Sequence, residues 1–451
     1  MKLSVIGGGG VRSPLLAKSI AQRAKKLGIT ELVFMDIDEE KLRIYGGLSA
    51  ELSRRLNPKL AFSMTKDPVE AVRDADYLIT AIRVGGDSLR VQDERIALSL
   101  GVLGQETTGA AGFSFSMRSV PALAEYCELA RRYAKPSIKV FNFTNPAGLV
   151  SQTLRDMGYD FTYGICDAPI GMLSQFAALY GVRPEELEGE CYGLNHLSFF
   201  PSIRLHKKEL LKELLMREDA LEKTDLRYFE KDLLLHMGLG LNEYLYYFYY
   251  REKALSNILN APSTRGERIE EINRRMTEEL SGMDVKSDFE ACLRCFERCY
   301  GERENAYMEG ETGIHRDSSP ALSSGGDGYA GVALRFLEIL KSGKAGTMIL
   351  SVPNRGAIPG LKDDDVVEIS CEITESSVRP HRFPEVDERA LELIRRVKSY
   401  ERFASRALRR RSIKDAVDCL MLHPLVNSYS LAKELCEKYL ELNAPYCGGW
   451  N

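Results

Sequence analysis

The chain begins with an apolar run, four consecutive glycines and an amphipathic helical pattern, KLSVIGGGGVRSPLLAKSI, residues 2–20. A strand that feeds a helix through glycines commits the chain to a crossover, and the crossover that suits it is a right-handed βαβ unit. The next apolar run, ELVFMD, supplies the second strand and ends on Asp36. YLITAI and IKVFNF read as further strands. PLLAKSIAQRAKKLG, EEKLRIYGGLSAELSRRL and SVPALAEYCELARRYA read as helices between them. This alternation predicts an α/β fold: a Rossmann-type, doubly wound parallel sheet over residues 1–165.

In such a turn the glycines let the backbone approach a pyrophosphate, and the helix N-terminus offers N–H groups and partial positive charge. An acid closing the second strand binds ribose hydroxyls and repels a 2′-phosphate, which favours NAD over NADP. Gly7, Gly9, Gly10, Val11, Arg12 and Asp36 are therefore the candidate cofactor contacts. Arg12 works against the NAD preference, because a cation there can meet a phosphate.

After FTYGIC the pattern changes. CYGLNHLSFFPSIRL is strand-like, residues 208–310 are mostly helical in pattern, AGTMILSVPNRG and DVVEISCEIT read as antiparallel strands, and the last 65 residues are helical again. This predicts a C-terminal α+β domain over 166–451, the layout of lactate and malate dehydrogenases, with residues 318–331 as a site-lining loop. The 61 basic and 65 acidic residues are mixed along the chain, so no basic block exists to hold nucleic acid or an anionic membrane. No stretch reaches the roughly 20 apolar residues of a membrane span, and ten irregularly spaced cysteines suit free thiols in a reducing cytoplasm. Three of these cysteines stand in CLRCFERC, one face of a helix by spacing, where buried packing is the favoured reading over a cluster site.

Four polar clusters interrupt otherwise buried-looking sequence: LGQETTGAAGF, FNFTNPAG, GICDAPIG and YGLNHLSFF. They carry Cys166 and His196, a thiol and an imidazole suited to a divalent transition metal. Two protein ligands leave coordination positions open for substrate oxygens. Taken alone, a Cys and a His thirty residues apart are more often an ordinary buried thiol and a hydrogen-bonded core histidine. LGLNEYLYYFYYREKAL adds five tyrosines in seven residues, an amphipathic packing pattern unless a nearby cation lowers one hydroxyl's pKa.

Together with RVGGDSLRVQDERIALSLGVLGQETTG, NRGAI and HPLVNSYSLAKELC, these motifs run in order through the chain. The sequence resembles, from end to end, the NAD- and metal-dependent glycosidases of glycoside hydrolase family 4, the 6-phospho-β-glucosidases above all. The resemblance implies Cys166 and His196 as ligands of a divalent ion, manganese first, and Tyr244 as the base. It implies Arg90 near a substrate phosphate, Arg265 as a second substrate-side arginine, and Asn145 and Asn195 as amides bonded to the sugar. It implies a phosphorylated glycoside as the small-molecule partner and a homo-oligomer, dimer or tetramer. The family departs from two-carboxylate hydrolysis: NAD+ takes hydride from carbon 3, the base removes the acidified carbon 2 proton, the aglycone leaves, water adds, and the hydride returns.

Three departures from the family pattern bear on substrate. Asp167 stands where many 6-phospho-β-glucosidases carry asparagine and α-specific members carry aspartate as leaving-group acid, so Asp167 is a catalytic candidate and the anomer stays open. The glycine turn reads GGGGVRSP, and SSGGDGYAG lacks an arginine before its glycine pair, which leaves the 6-phosphate requirement open. A hydroxyacid dehydrogenase would share the first half but leaves Cys166, His196 and Tyr244 unexplained. An NAD-binding module without turnover leaves the polar clusters unexplained.

Overall fold

A computed structural model describes residues 1–316 and 328–451. Its main sheet has nine strands. Six of them are parallel: β1 (Lys2–Ile6), β2 (Glu31–Met35), β3 (Ala61–Thr65), β4 (Tyr77–Thr80), β5 (Lys139–Asn142) and β6 (Thr162–Gly164). Their order, 3-2-1-4-5-6, is that of the doubly wound dinucleotide fold and puts the switch point between β1 and β4. Helices cover both faces, which is why β1, β2, β4 and β5 are nearly continuous apolar runs with almost every residue buried.

The first crossover is the helix Ser13–Leu27, with Pro14 in its first turn and Gly28 closing it in the left-handed conformation. Gly7 sits at φ +98°, and a Cβ there would stand 2.4 Å from the carbonyl oxygen of Ala81. The turn can pass beneath β4 only because residue 7 has no side chain.

The polar hairpin β7 (Leu187–Leu194) and β8 (Leu197–Leu205), with short β9 (Lys208–Glu209) and β10 (Gly240–Leu241), forms a second, antiparallel sheet. β11 (Gly346–Pro353) and β12 (Val366–Ile373) are antiparallel to each other as expected. They do not form a sheet of their own: β11 pairs with β6 through Ser351 and Gly164, and β13 (Val378–Pro380) closes the edge. The predicted helical stretch at 208–310 is broken into short helices before two long ones, Arg265–Ser281 and Phe289–Asn305. Of the expected loop at 318–331, residues 318–327 lie outside the described residues and the helix Gly328–Ser342 begins after them. The C-terminal 65 residues are helical, in Glu388–Arg410, Ile413–Leu422 and Tyr429–Cys447. Among the described residues, no helix is long and apolar enough to cross a membrane.

Candidate active site

The carboxyl ends of β1, β2, β4, β5 and β6 open into one cleft of about 2310 Å³. At its first end the glycine turn folds onto Asp36: the Gly9 N–H donates to Asp36 Oδ2 at 2.9 Å and the Asp38 N–H to Oδ1 at 3.1 Å. Burial pushes the Asp36 carboxyl up, and the two N–H groups offset part of that. The carboxylate is thus fixed at the strand end with lone pairs to spare, the arrangement that accepts from a ribose diol.

Arg12 occupies the N-cap position of the helix Ser13–Leu27. Burial works against its guanidinium, but Tyr300, Asp167, Glu304 and Tyr244 outweigh it and hold Arg12 firmly protonated. The glycine turn therefore presents a cation toward the next compartment.

There, Cys166 leaves the end of β6 and Asp167 starts the helix Ala168–Tyr180. His196 comes from the two-residue turn of the β7–β8 hairpin, in the left-handed conformation at φ +60°. Its Nδ1 is 2.8 Å from the Thr107 hydroxyl, which leaves Nε2 as the ring nitrogen without that tie. Burial lowers the imidazole's pKa to about 4, so the ring is neutral at physiological pH. Tyr244 lies flat against it, with ring centroids 3.8 Å apart at 15°.

Tyr244 is presented by a single turn, Glu243–Leu245, capped by the Asn242 side chain accepting from the Tyr244 N–H at 3.0 Å. The Tyr stripe is therefore not one helix: Tyr244 sits on this turn and Tyr247 on the next short helix, Tyr246–Tyr249, and while both line the cleft, Tyr247 ties its hydroxyl down by donating to Glu311 at 2.8 Å. Burial and the neighbouring Glu243 raise the Tyr244 hydroxyl well above its ordinary range. Burial, with Glu368 and Asp167, does the same to the Cys166 thiol. Burial also raises the Asp167 carboxyl, with Arg12 pulling the other way. A buried thiol, a neutral imidazole and a phenol whose hydroxyl burial has raised are the donor set a divalent transition ion would satisfy.

The far end of the cleft is cationic. Arg83 pairs with Glu106 at 2.6 Å, and Arg90 with Glu94 at 3.0 Å and Glu106 at 3.6 Å. Burial alone would raise Glu106, but Arg83 and Arg90 hold its carboxyl well below the usual range. Arg265 heads the helix Arg265–Ser281, whose start is fixed by the Thr264–Glu267 capping box and by the Gly266 N–H donating to Glu94 at 2.8 Å. Arg303 approaches from the end of Phe289–Asn305, and burial, with Arg12 and Arg265 nearby, pushes it down to about 10. Arg265 Nη1 and Arg303 Nε are buried without a hydrogen-bond partner. Orphaned guanidinium donors at a cleft wall leave a place for a multivalent anion.

Gly7, Gly9, Gly10, Val11, Arg12, Asp36, Arg90, Asn145, Cys166, Asp167, His196, Tyr244 and Arg265 all line this cleft. Asn195 does not. Its amide donates to Glu368 at 3.0 Å and it lines a small separate cavity with Thr107 and His423. Adjacent residues in a hairpin turn project differently, and His196 takes the cleft side. Sequence reasoning also missed Thr107, Glu106 and Arg303. Thr107 and Glu106 lie in the flagged cluster LGQETTG, whereas Arg303 is hidden among the charges of a long helix.

Two family models match the chain: "Family 4 glycosyl hydrolase" over residues 2–182 and "Family 4 glycosyl hydrolase C-terminal domain" over 191–426. The chain is 29% identical to the 6-phospho-beta-glucosidase BglT of Thermotoga maritima, across 99% of each chain. It superposes with a TM-score of 0.83, at 29% identity and 99% coverage of each chain, on a Thermotoga maritima 6-phospho-beta glucosidase solved with manganese, NAD+ and glucose-6-phosphate. A 6-phospho-alpha-glucosidase from gut microorganisms, solved with NAD and Mn2+, gives a TM-score of 0.82 at 26% identity, covering 100% of this chain and 99% of that one.

Proposed function

The chain belongs to glycosyl hydrolase family 4, and we propose that within it this enzyme hydrolyses 6-phospho-β-glucosides to glucose 6-phosphate and an aglycone. The observation that carries the reading is a single cleft holding the glycine turn with Asp36, the His196–Tyr244 stack beside Cys166, and the orphaned donors of Arg265 and Arg303.

Asp36 and Gly7 to Arg12 would hold NAD, and Cys166 and His196 a divalent ion, manganese first. Bound there, the two groups would supply a reversible hydride acceptor for carbon 3 and an electrophile for the oxygens on carbons 2 and 3. Thr107 keeps the His196 ring turned toward the cleft through Nδ1. Arg90 and Arg265, with Arg303 close to both Arg265 and Arg12, anchor the sugar phosphate and fix which carbon faces Tyr244. Asn145 bonds the sugar from the end of β5. Tyr244 would take the carbon 2 proton on its phenolate oxygen: burial alone keeps the hydroxyl protonated, and a divalent ion held by Cys166 and His196 would supply the positive charge that lowers its pKa. Asp167, at the start of the helix Ala168–Tyr180 and raised by burial against the pull of Arg12, is the candidate proton donor to the departing aglycone.

That same Asp167 favours one second reading, an α-glucoside of the same phosphorylated sugar. We also propose that residues 1–165 bind the nucleotide and 166–451 supply the metal and most sugar contacts, that the enzyme is a homo-oligomer, and that it is cytoplasmic, where ten free, buried cysteines stay reduced.

The test is hydrolysis of p-nitrophenyl α- and β-glucosides, each with and without a 6-phosphate, in NAD+, Mn2+ and a thiol reductant, with omission controls. Cleavage of the 6-phospho-β compound, lost when NAD+ or metal is withheld, is the expected result. Cleavage of the 6-phospho-α compound alone would move the anomer, and cleavage of the plain glucosides would remove the phosphate from the reading.

A further inference from the structure

The two long helices that bring Arg265 and Arg303 to the cleft, Arg265–Ser281 and Phe289–Asn305, run back from it and pack against each other. Their contact is a small core with Ile272, Met276, Leu280, Phe289 and Phe296, and it contains the three cysteines of CLRCFERC. Burial of all three accords with the packing expected of them. The spacing within the face adds something more. Cys295 and Cys299 are four apart, so both sulfurs project from the same side of one helix, the i, i+4 geometry by which a helix offers two ligands to one ion.

The opposing helix supplies a third donor. Cys295 Sγ is 3.5 Å from Glu279 Oε2, and ligand atoms of Glu279, Cys295 and Cys299 all lie within 4.8 Å of one another. Two sulfurs about 2.3 Å from a tetrahedral zinc stand roughly 3.7 Å apart, so rotamer adjustment alone brings this set to bonding distance. More soft sulfur lies beside it, with Cys292 Sγ 3.8 Å from Met283 Sδ. None of these residues lines the cleft.

We propose that Glu279, Cys295 and Cys299 form a second metal site, distinct from the cleft, which takes a thiophilic divalent ion such as zinc and clamps the two helices together. On binding, the two thiols lose their protons to solvent, and two thiolates and a carboxylate bring three negative charges to an ion of charge +2. The excess negative charge is met by arginines already in place. Arg298 donates to Glu279 and is 3.9 Å from Cys295 Sγ, while Arg275, ion-paired to Glu302, lies beside Cys299. Glu279 is partly exposed, which leaves the fourth position to water. Three protein ligands from two helices make a bridge that closes only when both helices are docked.

The experiment titrates the chelator-stripped full chain with Co2+ under a reductant and reads the thiolate-to-cobalt absorption in the near ultraviolet. In the Cys166→Ser, His196→Ala background, which removes both cleft ligands, one equivalent of Co2+ with a two-thiolate band is expected, and Zn2+ should displace it. Adding Cys295→Ser and Cys299→Ser should abolish the band. Glu279→Gln, at a partly exposed position that puts folding at little risk, should weaken Co2+ binding by at least about tenfold. No band in the cleft-ligand background would overturn the proposal. A band that survives loss of both cysteines, or affinity unchanged in Glu279→Gln, would do the same.

Discussion

The two ends of the cleft are built by opposite means. The nucleotide end is made from residues 7–36, mostly backbone, with one carboxylate fixed by two N–H groups. The end around Cys166, His196 and Arg265 draws side chains from positions as far apart as 83 and 303, carried by a strand end, a hairpin turn, a capped single turn and two helix termini. A backbone site is as rigid as the sheet that carries it. A side-chain site of this kind depends on each supporting contact and should fail one residue at a time while the nucleotide end stays intact.

The sharpest way to break that comparison is Cys166→Ser. Metal-dependent turnover should be abolished with NAD+ affinity, read by calorimetry, near wild type; parallel loss of NAD+ binding would mean that the two ends are one unit. Tyr244→Phe comes next, with turnover expected to fall about 10²- to 10⁴-fold and carbon 2 proton exchange with deuterated solvent to stop. Exchange that persists would take Tyr244 out of the base role. Thr107→Val removes only the partner of His196 Nδ1, and should weaken Mn2+ binding about 10- to 100-fold in a metal titration.

Glu106→Gln probes the charge balance at the arginines and is read in stability instead of turnover, at about 1–3 kcal/mol at pH 7 for a buried ionised group leaving its arginines. The sign with pH follows from Glu106 being held below its ordinary value of 4.5. Its stabilisation is complete above that pH and is lost as pH falls toward the folded-state value. The stability gap between wild type and Glu106→Gln, from denaturant titrations, should therefore be flat from pH 7 to about 5 and narrow below that.

The same contrast decides what could be read in the sequence. The glycine turn, its helix and Asp36 are contiguous, so their chemistry is visible in thirty residues. Cys166, His196 and Tyr244 were legible as a set through the ordered motifs of the family, not through periodicity. Asn195 reads like His196 in sequence, yet the hairpin turn sends its amide to Glu368, a direction that no local pattern encodes. Thr107 stands 89 residues from the imidazole that it orients, and nothing in LGQETTG points there. β3 escaped notice because it is an edge strand with no residue fully buried, so it lacks the apolar signal of its neighbours. The antiparallel pairing of β11 with β12 was foreseeable from the strand pattern. Their attachment to β6 was not, since the partner lies in the other half of the chain.

That attachment has a consequence for how the protein is made. Gly164 pairs with Ser351, so while the chain is being synthesised the N-terminal strands can assemble long before the strand that covers β6 leaves the ribosome. Through that interval the newborn N-terminal half carries a bare edge of unpaired N–H and C=O groups, open to adventitious strand pairing. A fragment ending near residue 182 would keep that edge for good, and nascent chains stalled before residue 353 are where a chaperone that recognises extended backbone has most to do.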